Sequence, residues 1–385
     1  MHTSGWWRAP RQITHQISDR KISWLELFSD LVYVAIIHLV TVNLATHWNF
    51  IGIATFILAF TLVFNSWQNI TWFYDLHGDD SLRTTVLLLV QVIGISLVAI
   101  FLPAIFSGHW QGFMWTYLLV QVLITYLWWS TGHFDPDHRV TSWPYVRFYG
   151  IATIVLLLAA IFNQPAFSVA ALVITGVLDY GAPLFMSHRF DHEYTVRNLP
   201  FELSGAMLER YGQFTMIVLG EALADIIDHG LEHTTLNSLL TFVLSLLFVI
   251  SIWWLYYMLM DNVHVVGSNF RTLLWFRLLH MVWLLILSGL IFSTSYLTDT
   301  DLTHIRGLFS SLAITTLLLL QWLASWPFSK PSRATIGRNI CVIVLLLIAM
   351  WLPVLGQLVL SSGAILLFIG DHERRSNQLH SVKNK

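Results

Sequence analysis

Residues 23–46, SWLELFSDLVYVAIIHLVTVNLAT, form an apolar run of bilayer length that nevertheless carries two carboxylates, Glu26 and Asp30. At about 100° per residue a helix puts Glu26, Asp30, Tyr33, Ile37 and Thr41 on one narrow stripe, so both acids face a single neighbour rather than lipid on two sides. An acid at the centre of a span costs roughly 2.5–3.5 kcal/mol on insertion scales, which makes an interior-facing, partnered acid the expectation. The run therefore predicts both a membrane helix and a polar site inside the protein.

Runs of this kind recur from end to end, with 56% hydrophobic and 11% charged residues overall, against about 25% charged in a soluble domain. Read in windows of about 20 residues, the chain gives twelve spans: 24–46, 50–74, 83–106, 112–131, 145–163, 166–186, 200–227, 236–260, 272–296, 303–326, 336–351 and 353–370. Eighteen Trp and twelve Tyr suit interfacial belts. The net charge of −2 argues against a nucleic-acid partner. A single cysteine, Cys341, excludes an intramolecular disulfide and any Cys-based zinc cluster. Residues 1–22 carry Arg8, Arg11, Arg20 and Lys21 but no apolar core of a signal peptide, so the first span is expected to act as its own insertion signal.

Seventeen of the twenty Lys and Arg residues fall on the N-terminal segment, the even-numbered loops and the tail. Arg306 alone lies on the opposite side, while Arg210 and Arg277 sit within spans. This bias predicts both termini in the cytoplasm of a cell-membrane protein and an even number of spans. Leu25-Glu26-Leu27-Phe28 resembles Leu208-Glu209-Arg210-Tyr211, 183 residues later, and the aromatic exits of spans two and eight match at a similar separation. The expected fold class is thus an all-α polytopic bundle of about twelve transmembrane helices, arranged as two six-helix repeats about a parallel pseudo-twofold axis. Its parts are a cytoplasmic segment 1–22, a first repeat 23–186, a linker 187–199, a second repeat 200–370 and a cytoplasmic tail 371–385.

The segments RKISWLELFSDLVYVAIIHL, WFYDLHGDDSLRTTVLLLVQ, LERYGQFTMIVLGEALADII and WWLYYMLMD occur in that order. Together they resemble the signature segments of the bacterial low-temperature-requirement A (LtrA) family. The resemblance implies a multi-pass membrane protein and leaves the substrate unassigned. Phe28-Ser29-Asp30 departs from the two aromatics that commonly precede the family's aspartate, and resembles instead a triplet found on the first helix of a family of potassium channels.

Within span seven, Glu202, Glu209, Gln213, Met216 and Gly220 share a stripe, and Arg210, Ile217 and Glu221 share another about 100° away. Arg210 and Glu221 are about 16 Å apart along the axis, so Arg210 takes its partner from another helix. Asp30 lies at matching depth and is the expected partner. Asp179, Arg277, Asn65, Asn69 and Gln91 fall in the same half of the membrane, which predicts a buried polar layer. His38 and Glu221 lie on the outer side. Glu221 stands among Ile217, Val218 and Leu219 with no basic residue within a turn, and is expected to carry the coupling proton.

Asp225, Asp228, His229, Glu232 and His233 read as a hydrated acidic loop, since Gly230 interrupts the His spacing; His188 and His192 read likewise. Asp75, His77, Asp79 and Asp80 read as a solvated turn. No phosphate-binding loop, nucleophile elbow, HExxH or dinucleotide fingerprint is present. No metal, cofactor or enzymatic activity is expected. The leading expectation is a proton- or ion-coupled secondary transporter whose path is lined by Glu26, Asp30, His38, Asp179, Glu209, Arg210, Glu221 and Arg277. A cation channel, a lipid-acting membrane enzyme and a stress-adaptation protein are the alternatives. Expected partners are the lipid bilayer and a small solute or ion, with homodimerisation left open.

Overall fold

The computed structural model describes residues 8–15, 20–231, 235–261, 263–297, 305–325 and 333–383. Among these, twelve α-helices follow a short 3-10 turn at Ile13–His15. They are α1 (Trp24–Thr46), α2 (Phe50–His77), α3 (Leu82–Phe106), α4 (Gln111–Phe134), α5 (Arg139–Phe162) and α6 (Pro165–Val196). Then come α7 (Gly205–Leu231), α8 (Leu236–Met260), α9 (Phe270–Ser295), α10 (Ile305–Ala324), α11 (Arg333–Ala349) and α12 (Val354–Lys383). The chain is a polytopic helix bundle. Ten of the helices are long and apolar enough to cross a membrane. The other two fall short for different reasons: α7 carries five acidic or basic residues from Glu209 to Asp228, and α11 is 17 residues long.

The helix starts follow local chemistry. Ser23 caps α1 in a capping box with Glu26, Asn49 caps α2, Ser81 caps α3 and Thr235 caps α8, each accepting a backbone N–H that the helix leaves free. Helix α5 ends on Asn163 in the left-handed region, and α6 starts at once with Pro165 in its first turn.

Four boundaries differ from the sequence reading by five residues or more, among them the end of α12, which runs thirteen residues past the expected 370 to Lys383. Helix α5 begins at Arg139, six residues before the expected 145, and carries Pro144 inside it. Proline strips a donor from the carbonyl four residues back, and Arg189 Nη1 donates to that Val140 carbonyl at 3.1 Å. Helix α6 runs ten residues past 186, so most of the stretch read as a linker is helix. Helix α7 starts at Gly205, because Ser204 Oγ accepts from the Met207 N–H and opens the helix there. Glu202 therefore lies outside the helix, in an isolated bridge to Val266, and does not share the Glu209 stripe.

The chain divides into two compact units, Met1–Phe214 with Val265–Met281, and Thr215–His264 with Val282–Lys385. In the first, α2 packs against α1, α3, α4 and α6. Every residue from Leu62 to Tyr74 of α2 is buried, so this helix is enclosed on all sides. Asn65, Ser66, Gln68, Asn69 and Thr71 are thus carried into the interior, while large apolar groups such as Ile93, Ile100, Leu119, Ile154 and Ile161 face outward. Polar inside and apolar outside is the arrangement a lipid solvent selects. In the second unit α12 packs on α8 and α11, and α10 on α8 and α11. Gln357 Nε2 ties α12 to α10 through the Arg306 carbonyl at 2.9 Å and Ser310 Oγ at 3.0 Å.

Candidate functional site

The predicted stripe of α1 is buried along its length: Glu26, Asp30, Tyr33, Ile37 and Thr41 all lie inside. Asp30 is 0% exposed and Arg210 of α7 is 1% exposed. Arg210 Nε donates to Asp30 Oδ2 at 3.1 Å and Nη2 to Oδ1 at 2.5 Å, a bidentate pair of the kind a planar guanidinium favours. Trp67 Nε1 donates to the same Oδ1 at 2.7 Å, so Asp30 is fully engaged.

Arg210 Nη1 reaches Glu26 Oε1 at 3.3 Å. Glu26 also accepts from Arg20 at 2.9 and 3.0 Å and from the Ser23 N–H at 2.9 Å. Arg20 in turn approaches Asp75 at 3.8 Å. The outcome is an alternating series, Asp75, Arg20, Glu26, Arg210 and Asp30, within the first unit. Asp75 accepts from Ser204 as well, and Asp79 accepts from Ser81 at the start of α3, so the acids of that turn have separate structural tasks. Next to them, Arg11 donates to the Asp75 and Leu76 carbonyls at the end of α2. Burial, followed by the charge of Arg20, lowers its pKa from the ordinary arginine value.

A second polar cluster centres on Asp179 of α6, 1% exposed. Asn65 Nδ2 donates to its Oδ2 and Gln121 Nε2 to its Oδ1, each at 2.9 Å. Among the described residues no cation pairs with it. Pro183, four residues on, leaves the Asp179 carbonyl without its helical donor, and the Tyr149 hydroxyl approaches that carbonyl at 3.5 Å. Tyr149 also donates to Asn69 Oδ1 at 2.6 Å, and Asn69 donates to Asn65 at 3.0 Å. These groups border a cavity of about 20 Å³ lined by Asn65, Gln68, Asn69, Tyr149, Asp179 and Arg277, among others. That is room for a water or a single ion. Arg277 is 6% exposed and lies 3.6 Å from the centre of the Trp72 ring.

Of the expected path residues, the structure gathers Glu26, Asp30 and Arg210 into one network, and Asp179 and Arg277 around one cavity. Glu209 is exposed and accepts from Gln213 at 3.0 Å. His38 and Glu221 are partly exposed, Glu221 within the second unit. The His229 side chain and residues Glu232 and His233 lie outside the described residues, and among the described ones no three His, Cys, Asp or Glu side chains converge on a metal position.

Trp67, Gln68, Gln121, Tyr145 and Tyr149 are the site residues that sequence reading passes over. Gln121 carried a signal, an amide in the middle of an apolar run. Tyr145 and Tyr149 lie at the start of the expected span 145–163, where tyrosines read as part of an interfacial belt.

The model of the family described as bacterial low temperature requirement A protein (LtrA) matches residues 21–370 of the chain. No curated protein matches it.

Proposed function

The chain belongs to the bacterial low temperature requirement A (LtrA) family, and from that premise we propose that it is a secondary transporter of the plasma membrane, moving a small solute or ion in exchange or symport with a proton or cation. The observation that carries this reading is Asp179: a carboxylate buried in a membrane helix four residues before Pro183, held by neutral amides and bordering a polar cavity. When such a group binds a proton or a monovalent cation, no cation in salt-bridge contact among the described residues masks the change. Intramembrane acids are where membrane proteins concentrate ion and proton sites.

Asp30 lies in a different electrostatic setting. It is committed to Arg210 and Trp67, which gives the Phe28-Ser29-Asp30 triplet a packing task rather than a pore-lining one. We therefore place the coupling carboxyl at Asp179 and give the Glu26–Arg210–Asp30 network the task of pairing α1 with the start of α7.

The test is flux in proteoliposomes loaded with a pH-sensitive dye, under imposed gradients of sodium, potassium or chloride. The wild-type protein is expected to change the luminal pH in response to one of these gradients, and Asp179→Asn to leave it flat. Current that flows without proton movement would assign a channel. Equal proton movement in Asp179→Asn would remove the coupling role.

A further inference from the structure

Arg210, Arg20 and Arg197 each hold two carboxylates. Arg277 does not. Although 6% exposed, it has no carboxylate within 4.0 Å among the described residues, and its Nε–H has no acceptor. Its contacts are the Trp72 ring, whose centre lies 3.6 Å from the guanidinium carbon, and the Tyr211 hydroxyl. Trp72 is itself stacked on Phe270, with ring centres 5.1 Å apart. A ring binds a guanidinium through its face and leaves the in-plane N–H donors for another ligand.

The cavity is where that ligand fits. Arg277 lines it, together with the amides of Gln68 and Asn69 and the hydroxyls of Tyr145 and Tyr149. Asp179 borders the same space, but its two oxygens are taken by Asn65 and Gln121. Arg83, another buried guanidinium without a carboxylate among the described residues, donates to Ser130 and does not border the cavity. A volume of about 20 Å³ matches an atom-sized guest.

We propose that this cavity binds a small monovalent inorganic anion, of halide size, on the Arg277 guanidinium. The anion accepts from the in-plane N–H donors of the guanidinium and neutralises a charge that no carboxylate within 4.0 Å matches among the described residues. This rests on the reading of the cavity as the transport site, and names an anion as one of its ligands.

The experiment uses the full-length protein in detergent at fixed ionic strength, with bromide exchanged against gluconate. A saturable rise of several degrees in melting temperature with bromide is expected in the wild type and is absent from Arg277→Gln. No anion-specific rise in the wild type, or an equal rise in Arg277→Gln, overturns the proposal. Should Arg277→Gln not fold, anomalous scattering from wild-type crystals grown in bromide decides. A peak at hydrogen-bonding distance from the Arg277 guanidinium supports the site, and its absence from the cavity overturns it. Neither readout measures flux, so loss of anion binding with proton coupling intact would reject the anion alone, whereas anion binding without flux would reject the transporter.

Discussion

Arg210 and Asp30, 180 residues apart in sequence, form a two-pronged ion pair at 2.5 and 3.1 Å in which both residues are removed from solvent. Taking one partner away leaves an uncompensated charge in a low-dielectric interior, which costs roughly 3–5 kcal/mol. Arg210→Ala is therefore expected to lower the melting temperature in detergent sharply. Asp30→Asn combined with Arg210→Gln removes both charges and keeps hydrogen-bonding shape, so it is expected to recover most of the loss. Additive losses in the double mutant, read by thermal unfolding, would show that the pair does not act as a unit.

The indole of Trp67 is the third element of that pair. Its N–H donates to Asp30 Oδ1 at 2.7 Å, and its ring stands edge-on to Tyr211 at 5.3 Å. A hydrogen bond to a charged group contributes about 1.5–3 kcal/mol. Trp67→Phe keeps the aromatic packing and deletes the donor, so a loss in that range by thermal unfolding is expected. A neutral outcome would mean that Arg210 alone satisfies Asp30.

How much of this was legible in the chain depends on whether a residue's meaning was local. The stripe Glu26, Asp30, Tyr33, Ile37 and Thr41 follows from helical period alone, and the match of Asp30 with Arg210 follows from depth, although residues 200–204 of the expected seventh span lie outside α7. The cavity was not legible. It needs α2 to be enclosed on every side, which places Asn65 and Asn69 beside Asp179, and no period within α2 shows which neighbours surround it. Tyr145 and Tyr149 were hidden for a local reason: at the start of a span expected to begin at 145 they read as interfacial tyrosines, whereas the helix starts at Arg139, runs through Pro144 and buries both. Glu26 carried two meanings at once, since the residue that closes the α1 capping box also bridges Arg20 and Arg210.

Orientation is open to a direct test. The clustering of seventeen of the twenty basic residues predicts cytoplasmic termini. A reporter that is active only in the cytoplasm, fused after the tail, is expected to be active. One that is active only outside the cytoplasm, fused at the same position and giving signal, would overturn the orientation.

The assignment of coupling to Asp179 rather than Glu221 rests on what surrounds each carboxyl, and it predicts different behaviour for the two amide variants. In Asp179→Asn the new carboxamide brings one acceptor and one donor to a place where Asn65 and Gln121 both donate. One of those amides must turn. Gln121 can do so, because its Oε1 is buried without a hydrogen-bond partner and would accept from the new donor. The variant is therefore expected to fold with a stability change of about 1 kcal/mol or less while losing proton-coupled flux. Glu221 is partly exposed, so Glu221→Gln is expected to keep both the fold and the dependence of flux on pH. Vesicle flux against pH for the wild type and both variants settles the matter. Coupling lost in Glu221→Gln and kept in Asp179→Asn would move the proton to α7 and leave Asp179 as a hydrogen-bonded packing residue.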